Sequence, residues 1–267
     1  MKNKYLLFII SLTLLFLLFS IESSAQKKKK KTTQPTQAEQ SQQITPVSKE
    51  HSLIINRFVS DPKLSTYLVV TDADGVGAKV RIQIYDEDGK LRYDKYEILH
   101  PYGKINLNPN KLINNELMTG SIRVFTEDGK IVGQYWQFYN EPALGYKNIA
   151  ISASEGKGYT KILCQHFVSD PNVETFIVVS NIEKDKPTVI NVKYYDNEGA
   201  IIVVQRKVIQ PNGCISIEPF KDVGKQINGV AVVESEMDCR ITGEYWQLSN
   251  NEKYQIALPL EGITKFK

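Results

Sequence analysis

The chain has 267 residues, of which 42% are hydrophobic and 24% are charged, with a formal net charge of +3. This is the composition of a globular protein, so it excludes a wholly disordered chain, a collagen-like fibre and a long coiled coil. Three histidines and three cysteines leave little material for a metal cluster or a disulfide-rich scaffold. The length fits one large domain or two domains of ordinary size.

The chain begins with a segment that is typical of export. Two lysines precede an almost continuously apolar stretch at residues 5–21, and small residues follow at Ser23 and Ala25. This order predicts a signal peptide, residues 1–25, which is cleaved after Ala25 and directs the protein to the periplasm, the cell surface or the medium. The alternative is an uncleaved anchor, because the apolar stretch is close to the shortest length that spans a membrane.

A segment rich in Lys and Gln follows at residues 26–49, and it contains no aromatic residue. Such a segment cannot bury enough apolar surface to offset the entropy lost on ordering, which predicts a disordered basic linker. Its basic run consists of Lys27, Lys28, Lys29, Lys30 and Lys31. We interpret this run as an electrostatic tether to an anionic surface of the envelope, and the alternative is a solvated tail without a partner.

The basic character of the chain lies in this linker. Residues 50–267 contain 25 Lys and Arg residues against 28 Asp and Glu residues, a net charge of −3. Recognition of nucleic acid needs a basic patch on the folded surface. The charge distribution therefore argues against a nucleic-acid partner.

The strongest pattern in the sequence is an internal duplication at an offset of 109 or 110 residues. Residues 58–62 recur as 167–171, 67–70 as 176–179, 85–89 as 195–199, 101–103 as 211–213, and 133–137 as 243–247. The duplication predicts two tandem copies of one module, residues 50–151 and 160–267, joined by a linker at residues 152–159.

Each copy has the period-two pattern of β-strands. In the first copy Val80, Ile82 and Ile84 alternate with more polar residues, the spacing of a half-buried strand. Turn residues recur at short intervals, and residues 108–119 are the one stretch irregular enough for a short helical turn. We predict an all-β fold of two tandem antiparallel β-sandwich domains, each with about seven to eight strands.

Several of these segments resemble a known family. VRIQIYDEDG at residues 80–89, GSIRVFTEDGKIVGQYW at 120–136 and VKYYD at 192–196 are similar in order to the strands of the sensory-rhodopsin-transducer type of small β-sandwich, which has a tyrosine-rich strand and a late strand like the one at residues 131–134. The resemblance implies a β-sandwich fold and a binding or oligomeric role, without implying a ligand. The export segment and the duplication depart from a cytoplasmic signalling partner.

The sequence contains no recognisable catalytic motif. His51, His100 and His166 lie outside any nucleophile motif, and we interpret them as residues of surface loops or strand faces. The acidic turns at residues 72–75 and 86–89 are too short for a calcium loop and lack its distal Glu. We therefore predict that the protein is not an enzyme and uses no cofactor and no metal.

The cysteines, Cys164, Cys214 and Cys239, all lie in the second copy. The first copy has other residues at the equivalent positions, so the module folds without a disulfide. In an oxidising compartment two of the three can pair, which leaves one thiol over.

A duplicated strand carries the candidate ligand site. Trp136 and Trp246 occupy its equivalent positions, and we expect each to lie in the core of its own sandwich. The opposite faces of the two strands then form a platform made of Tyr135, Gln137, Tyr139, Tyr245 and Gln247. Tyr and Gln combine stacking with hydrogen bonding, which suits a sugar or a peptide.

These features predict an exported, non-catalytic binding or scaffolding protein of the cell envelope. Its predicted partner is an envelope protein or a polysaccharide, and a homo-oligomer is compatible with the pattern. One alternative is a carbohydrate-binding protein that uses the tyrosine-rich strand faces. The other is an enzyme whose site forms between the two copies.

Overall fold

A computed structural model of the chain describes residues 51–139, 148–224, 226–249 and 255–263. The predicted signal peptide and the predicted basic linker lie outside the described residues. The chain divides into two units, Met1–Thr45 and Pro46–Lys267, and the described residues all belong to the second. A helix long and apolar enough to cross a membrane is absent from these residues.

The first repeat contains nine strands and a short helix within its described residues. The strands are β1 (His51–Ser60), β2 (Leu64–Asp72), β3 (Ala78–Asp86), β4 (Leu91–Leu99), β5 (Lys104–Leu107), β6 (Met118–Thr126), β7 (Ile131–Tyr139), β8 (Asn148–Ser152) and β9 (Ser154–Glu155). The helix is α1 (Pro109–Leu112). The strands form two antiparallel sheets, one in the order β4-β3-β6-β1-β9 and the other in the order β5-β2-β7-β8.

The second repeat has the same order of elements. Its strands are β10 (Lys161–Asp170), β11 (Val173–Asn181), β12 (Thr188–Tyr195), β13 (Ile201–Ile209), β14 (Cys214–Ile217), β15 (Ile227–Ser235), β16 (Ile241–Ser249), β17 (Gln255–Pro259) and β18 (Glu261–Gly262). The helix is α2 (Pro219–Val223). The order is β13-β12-β15-β10-β11-β16-β17, with β14 on β11 and β18 on β10, so the pairing of β10 with β11 joins the two sheets.

The prediction of an all-β fold is confirmed. The predicted count of seven to eight strands per copy is too low, because the short edge strands have no periodic signal. One of them, β9, pairs with Leu53 and Ile54 of β1 and lies inside the predicted linker at residues 152–159. The irregular stretch at residues 108–119 contains α1, as expected, whereas α2 was not predicted. The separation of the repeats into two domains stays a prediction.

Each repeat has a core built from the inward side chains of its strands. In the first repeat the largest fully buried side chains include Tyr135, Phe58 and Leu68. In the second repeat Phe167 and Tyr194 meet edge to face, with 5.3 Å between the ring centres. The Tyr194 hydroxyl donates a hydrogen bond of 2.6 Å to Asp222 of α2, so this helix satisfies a polar group at the core boundary.

The two repeats meet through different surfaces. Strands β11, β16 and β17 of the second repeat contact β1 and β8 of the first repeat. Val178 and Trp246 of the second repeat belong to the buried cluster that forms the core of the first repeat. We call this contact the joint. The joint places the outer face of β11 and β16, in the second repeat, against β1 and the edge strand β8 of the first repeat.

A tight turn forms a second contact between the repeats. Gly89 ends the β3–β4 turn with a φ of 79°. A Cβ atom at this position would collide with the carbonyl oxygen of Pro211, and the Cys214 backbone N–H donates a 3.1 Å hydrogen bond to the carbonyl oxygen of Glu87 in the same turn. The equivalent glycine of the second repeat, Gly199, has a φ of 85° and no neighbouring atom within 4 Å of such a Cβ.

These two glycines make a matched pair of substitutions. We expect G89A to lower the free energy of unfolding by about 2 kcal/mol more than G199A, because both place alanine in the left-handed region but only G89A meets a neighbouring backbone. Urea denaturation of the two variants measures the difference. Equal losses would show that the close approach of Gly89 to Pro211 does not hold the turn in place.

Candidate functional site

The platform predicted from the strand faces is wrong. Tyr135 and Gln137 are buried between the two sheets of the first repeat, and Gln247 is also buried. Tyr245 packs against the core of the second repeat. These side chains therefore do not form a surface for a sugar or a peptide. The side chain of the fifth predicted residue, Tyr139, lies outside the described set.

The tryptophans lie on the opposite face from the one predicted. Trp136 is half-buried on the outer face of its sheet, where it stacks with Phe138 at 6.2 Å between ring centres. Trp246 is only 3% exposed, but the first repeat covers it rather than the core of its own sandwich. Both faces of these strands carry large side chains, so the alternation alone does not show which face is inner, and the sequence prediction chose the wrong face in both strands.

The joint encloses an acidic side chain. Glu244 accepts a 2.6 Å hydrogen bond from the Tyr135 hydroxyl and a 2.8 Å hydrogen bond from the Trp246 indole N–H, both at Oε1. The Arg57 guanidinium lies 5.4 Å from the centre of the Trp246 ring. Burial raises the pKa of Glu244 to about 7, although these hydrogen bonds and the Arg57 charge act in the opposite direction. Glu244 is therefore an enclosed acid that links the two repeats.

A cavity of about 320 Å³ lies beside this contact, with walls from both repeats. Its lining from the first repeat includes His51, Arg123, Phe125, Glu155 and Lys157, and its lining from the second repeat consists of Ile182, Lys184 and Arg240. Four of these side chains are cationic and one is anionic. A second cavity of about 270 Å³ shares Phe125 and Lys184, and its other lining residues include two cations, Lys79 and Arg81, and two acids, Glu127 and Asp128.

Arg123 is a fixed positive charge in the wall of the first cavity. It is 3% exposed, and its two terminal nitrogens donate to the carbonyl oxygens of Ile182 at 3.1 Å and Asn181 at 2.6 Å. Its buried Nε has no hydrogen-bond partner in the part of the chain that the structure describes. Burial lowers the pKa of Arg123 to about 10, which leaves it protonated at neutral pH.

The other cations of the cavity differ in how far they are neutralised. Lys157 pairs with Glu155 at 2.9 Å, and Arg240 pairs with Glu183 at 3.0 Å. Lys184 lies over the Phe125 ring at 5.5 Å. The cavity is therefore positively charged within a fold whose sequence from residue 50 onward is slightly acidic. Such a site attracts an acidic group and binds it with charge-assisted hydrogen bonds.

The histidines and acidic turns have separate places in the fold. His51 lines the cavity, whereas His100 and His166 are exposed. Asp72 accepts a 2.8 Å hydrogen bond from the Tyr102 backbone N–H, and Asp86 accepts one of 2.8 Å from that of Lys90. The acidic residues thus hold the backbone of their turns. The described segments bring no three His, Cys, Asp or Glu residues together in an arrangement that suits a metal ion.

The cysteines are buried and unpaired. Cys164, Cys214 and Cys239 all have free thiols. Burial raises the pKa of Cys164 and that of Cys214 to about 12, which disfavours the reactive thiolate. The disulfide considered from the sequence does not form between any two of these three residues in this structure.

Sequence reasoning missed both Arg123 and Glu244. The signal that finds them is a change of charge between the copies, because Arg123 aligns with Val232 and Glu244 aligns with Gln134. A duplicated module conserves what its own core needs, so a charge found in one copy alone points to a contact that only this copy makes. Both residues do lie where the two repeats meet.

Comparisons with known proteins give weak structural similarities. No family model and no curated protein sequence matches the chain. A structure described as Thermotoga maritima 1070 matches at a TM-score of 0.36 and 13% identity, over 40% of this chain and 97% of that one. A β-glucuronidase of Bacteroides uniformis matches at a TM-score of 0.17 and 10% identity, over 79% of this chain and 25% of that one. Similarities at this level assign no function.

Proposed function

We propose that the chain is an exported, non-catalytic binding protein of the cell envelope, and that its partner inserts an acidic group into the cavity between the repeats. The observation that supports this most directly is the group of four cationic side chains that lines the cavity beside the single anionic Glu155, namely Arg123, Lys157, Lys184 and Arg240. An acidic group in the cavity lies close to these charges and accepts charge-assisted hydrogen bonds from them.

A carboxylate fits the chemistry of this cavity. Lys184 lies in the same wall and makes no ion pair with a described carboxylate, so its charge is available to a ligand. A volume of about 320 Å³ accommodates a side chain or one sugar unit, but not a folded surface. An acidic side chain of an envelope protein or an acidic unit of a polysaccharide supplies such a group.

The position of Glu244, the acid whose pKa burial raises to about 7, supports a non-catalytic role. Glu244 and Tyr135 are the pair that would suit acid–base chemistry by pKa, but both are enclosed in the joint. A general acid or base must reach the proton that it transfers. We therefore assign Glu244 to the contact between the repeats and not to a reaction.

Binding of an oligo-glutamate peptide tests the proposal, with an oligo-glutamine peptide as the neutral ligand. Because the basic run at residues 27–31 also attracts acidic peptides, its five lysines are replaced by Gln in every sample. In this background we expect K184A to weaken the affinity for oligo-glutamate about tenfold, the loss of one charge-assisted contact. Titration followed by fluorescence anisotropy measures the affinity.

The matched control is K90A, which removes an exposed lysine from a turn outside the cavity. We expect K90A to retain the affinity of the background chain, and raised salt to weaken binding in both. Equal affinities for K184A and K90A, or equal binding of the neutral peptide, would overturn the assignment of the cavity.

A further inference from the structure

The joint buries a defined surface of each repeat. On the second repeat this surface is the joint face, Phe176, Val178, Ser180, Glu244 and Trp246. On the first repeat it is the receiving side, Asn56, Arg57, Tyr135, Ile149 and Ile151. Because the two repeats share one strand order, each surface has an equivalent on the other repeat.

The equivalent of the joint face on the first repeat is not covered by any other part of the described chain. We call it the free face, and it consists of Tyr67, Val69, Thr71, Gln134 and Trp136. Tyr67 is 42% exposed, and its ring meets Phe138 edge to face at 5.3 Å, so the free face carries a cluster of aromatic side chains. In the second repeat the equivalent positions Val178 and Trp246 are buried by the neighbouring repeat.

Among the residues that the structure describes, the equivalent of the receiving side on the second repeat is uncovered as well. We call it the free side, and it consists of Gln165, His166, Tyr245, Ile256 and Leu258. Leu258 is 46% exposed, whereas its counterpart Ile151 is 3% exposed. Ile256 is 41% exposed, whereas its counterpart Ile149 is 6% exposed. The protein therefore exposes two apolar surfaces, the free face and the free side, which are equivalent to the joint face and the receiving side.

We propose that copies of this chain associate head to tail, with the free face of one copy packed on the free side of the next in the arrangement of the internal joint. The contact joins two different surfaces, so it is heterologous. A heterologous contact produces a ring when the rotation closes and an open filament when it does not.

The polar residues of the two free surfaces also match those of the joint. Inside the chain, Glu244 accepts from the Tyr135 hydroxyl, and the Ser180 hydroxyl donates to the Asn56 carbonyl oxygen at 3.3 Å. Between copies, the Gln134 carbonyl oxygen takes the place of the Glu244 carboxylate and accepts from the Tyr245 hydroxyl. Gln134 is neutral, so this contact buries no charge.

The tight turns beside the joint also have equivalents beside the two free surfaces. In the chain, the Gly89 turn reaches the backbone around Pro211 of the second repeat. The equivalent turn at Gly199 has open space around it, and the counterpart of Pro211, Pro101, precedes the exposed Tyr102. The head-to-tail contact places these two turns together. The proposal does not depend on the acidic ligand of the cavity, which lies at the internal joint.

Complementation of two defective copies tests the proposal with the full chain in mild detergent. W136E disrupts the free face and leaves the free side intact, whereas L258E does the reverse. We expect sedimentation velocity to show species larger than a monomer for the original chain and the loss of these species for each variant alone. An equal mixture of the two variants restores one good contact, so it forms dimers of one W136E and one L258E copy and nothing larger.

V208E is the control, because Val208 is an exposed apolar residue on the edge strand β13, away from both free surfaces. We expect V208E to associate like the original chain. All samples share the N-terminal apolar segment, so association that survives in both W136E and L258E contradicts the proposal. A monomeric original chain at every attainable concentration, or a mixture that stays monomeric, also overturns it.

Discussion

The W246A variant is expected to lose about 3–5 kcal/mol of unfolding free energy, the range for removal of a buried aromatic side chain. Trp246 lies in the core cluster of the first repeat, donates to Glu244 and receives the Arg57 guanidinium on its ring. Alanine leaves a cavity in the joint and removes the indole N–H that donates to Glu244. Most of the loss therefore comes from the contact between the repeats.

W136A is the matched control, because Trp136 occupies the equivalent strand position in the first repeat. Its ring is half-buried and stacked on Phe138, with no second repeat above it. We expect W136A to lower the free energy of unfolding by about 1 kcal/mol, as for a partly exposed side chain. Urea denaturation at low protein concentration gives both values, and similar losses would show that the joint does not stabilise Trp246.

Strand periodicity is enough to predict the fold class but not the outward faces. The alternation at Val80, Ile82 and Ile84 places these side chains inside, and all three are fully buried. In β7 and β16 both faces carry large side chains, so size does not decide which face is inner. Tyr135 takes the inner position and Trp136 the outer one, contrary to the sequence prediction. In β16 the outer Trp246 is buried by the first repeat, so a large buried side chain need not lie in the core of its own sandwich.

The cavity between the repeats could not be predicted from the sequence, for a different reason. Arg123 on β6 and Lys184 after β11 are 61 residues apart in the chain, and only the packing of one repeat on the other brings them into one wall. In strand β6 alone, Arg123 reads as an ordinary polar residue of a half-buried strand. Comparison of the two copies reduces the number of candidate residues, because it shows which charged residues occur in one copy only.

The same comparison shows how the internal joint differs from the proposed contact between copies. The two repeats share one strand order, so each repeat has an aromatic strand face and an apolar side at equivalent positions. The second repeat differs by Glu244, which meets Tyr135 and the Arg57 charge in the joint. On the free side His166 stands at the position equivalent to Arg57, and on the free face the neutral Gln134 stands at the position equivalent to Glu244. The internal contact is thus electrostatically distinct from a contact between copies.

The charge of Glu244 makes the stability of the joint depend on pH. Its pKa is about 7 in the folded chain, raised from 4.5 by burial. Between these two values the folded state holds a proton that the unfolded state has released. The free energy of unfolding therefore falls as the pH rises through this window, by about 3 kcal/mol, and this contribution is constant above it.

E244Q isolates this effect, because Gln is neutral, has nearly the same shape and stands at the equivalent position 134 of the first repeat. We expect the stability of the original chain relative to E244Q to fall by about 3 kcal/mol between about pH 4 and pH 8. Carboxylates with lowered pKa values, such as Asp94 beside Arg81, act at lower pH and in both proteins, so they cancel in the difference. Urea denaturation at several pH values measures it. A constant difference across this range would mean that Glu244 remains ionised in the joint, with Arg57 compensating its charge.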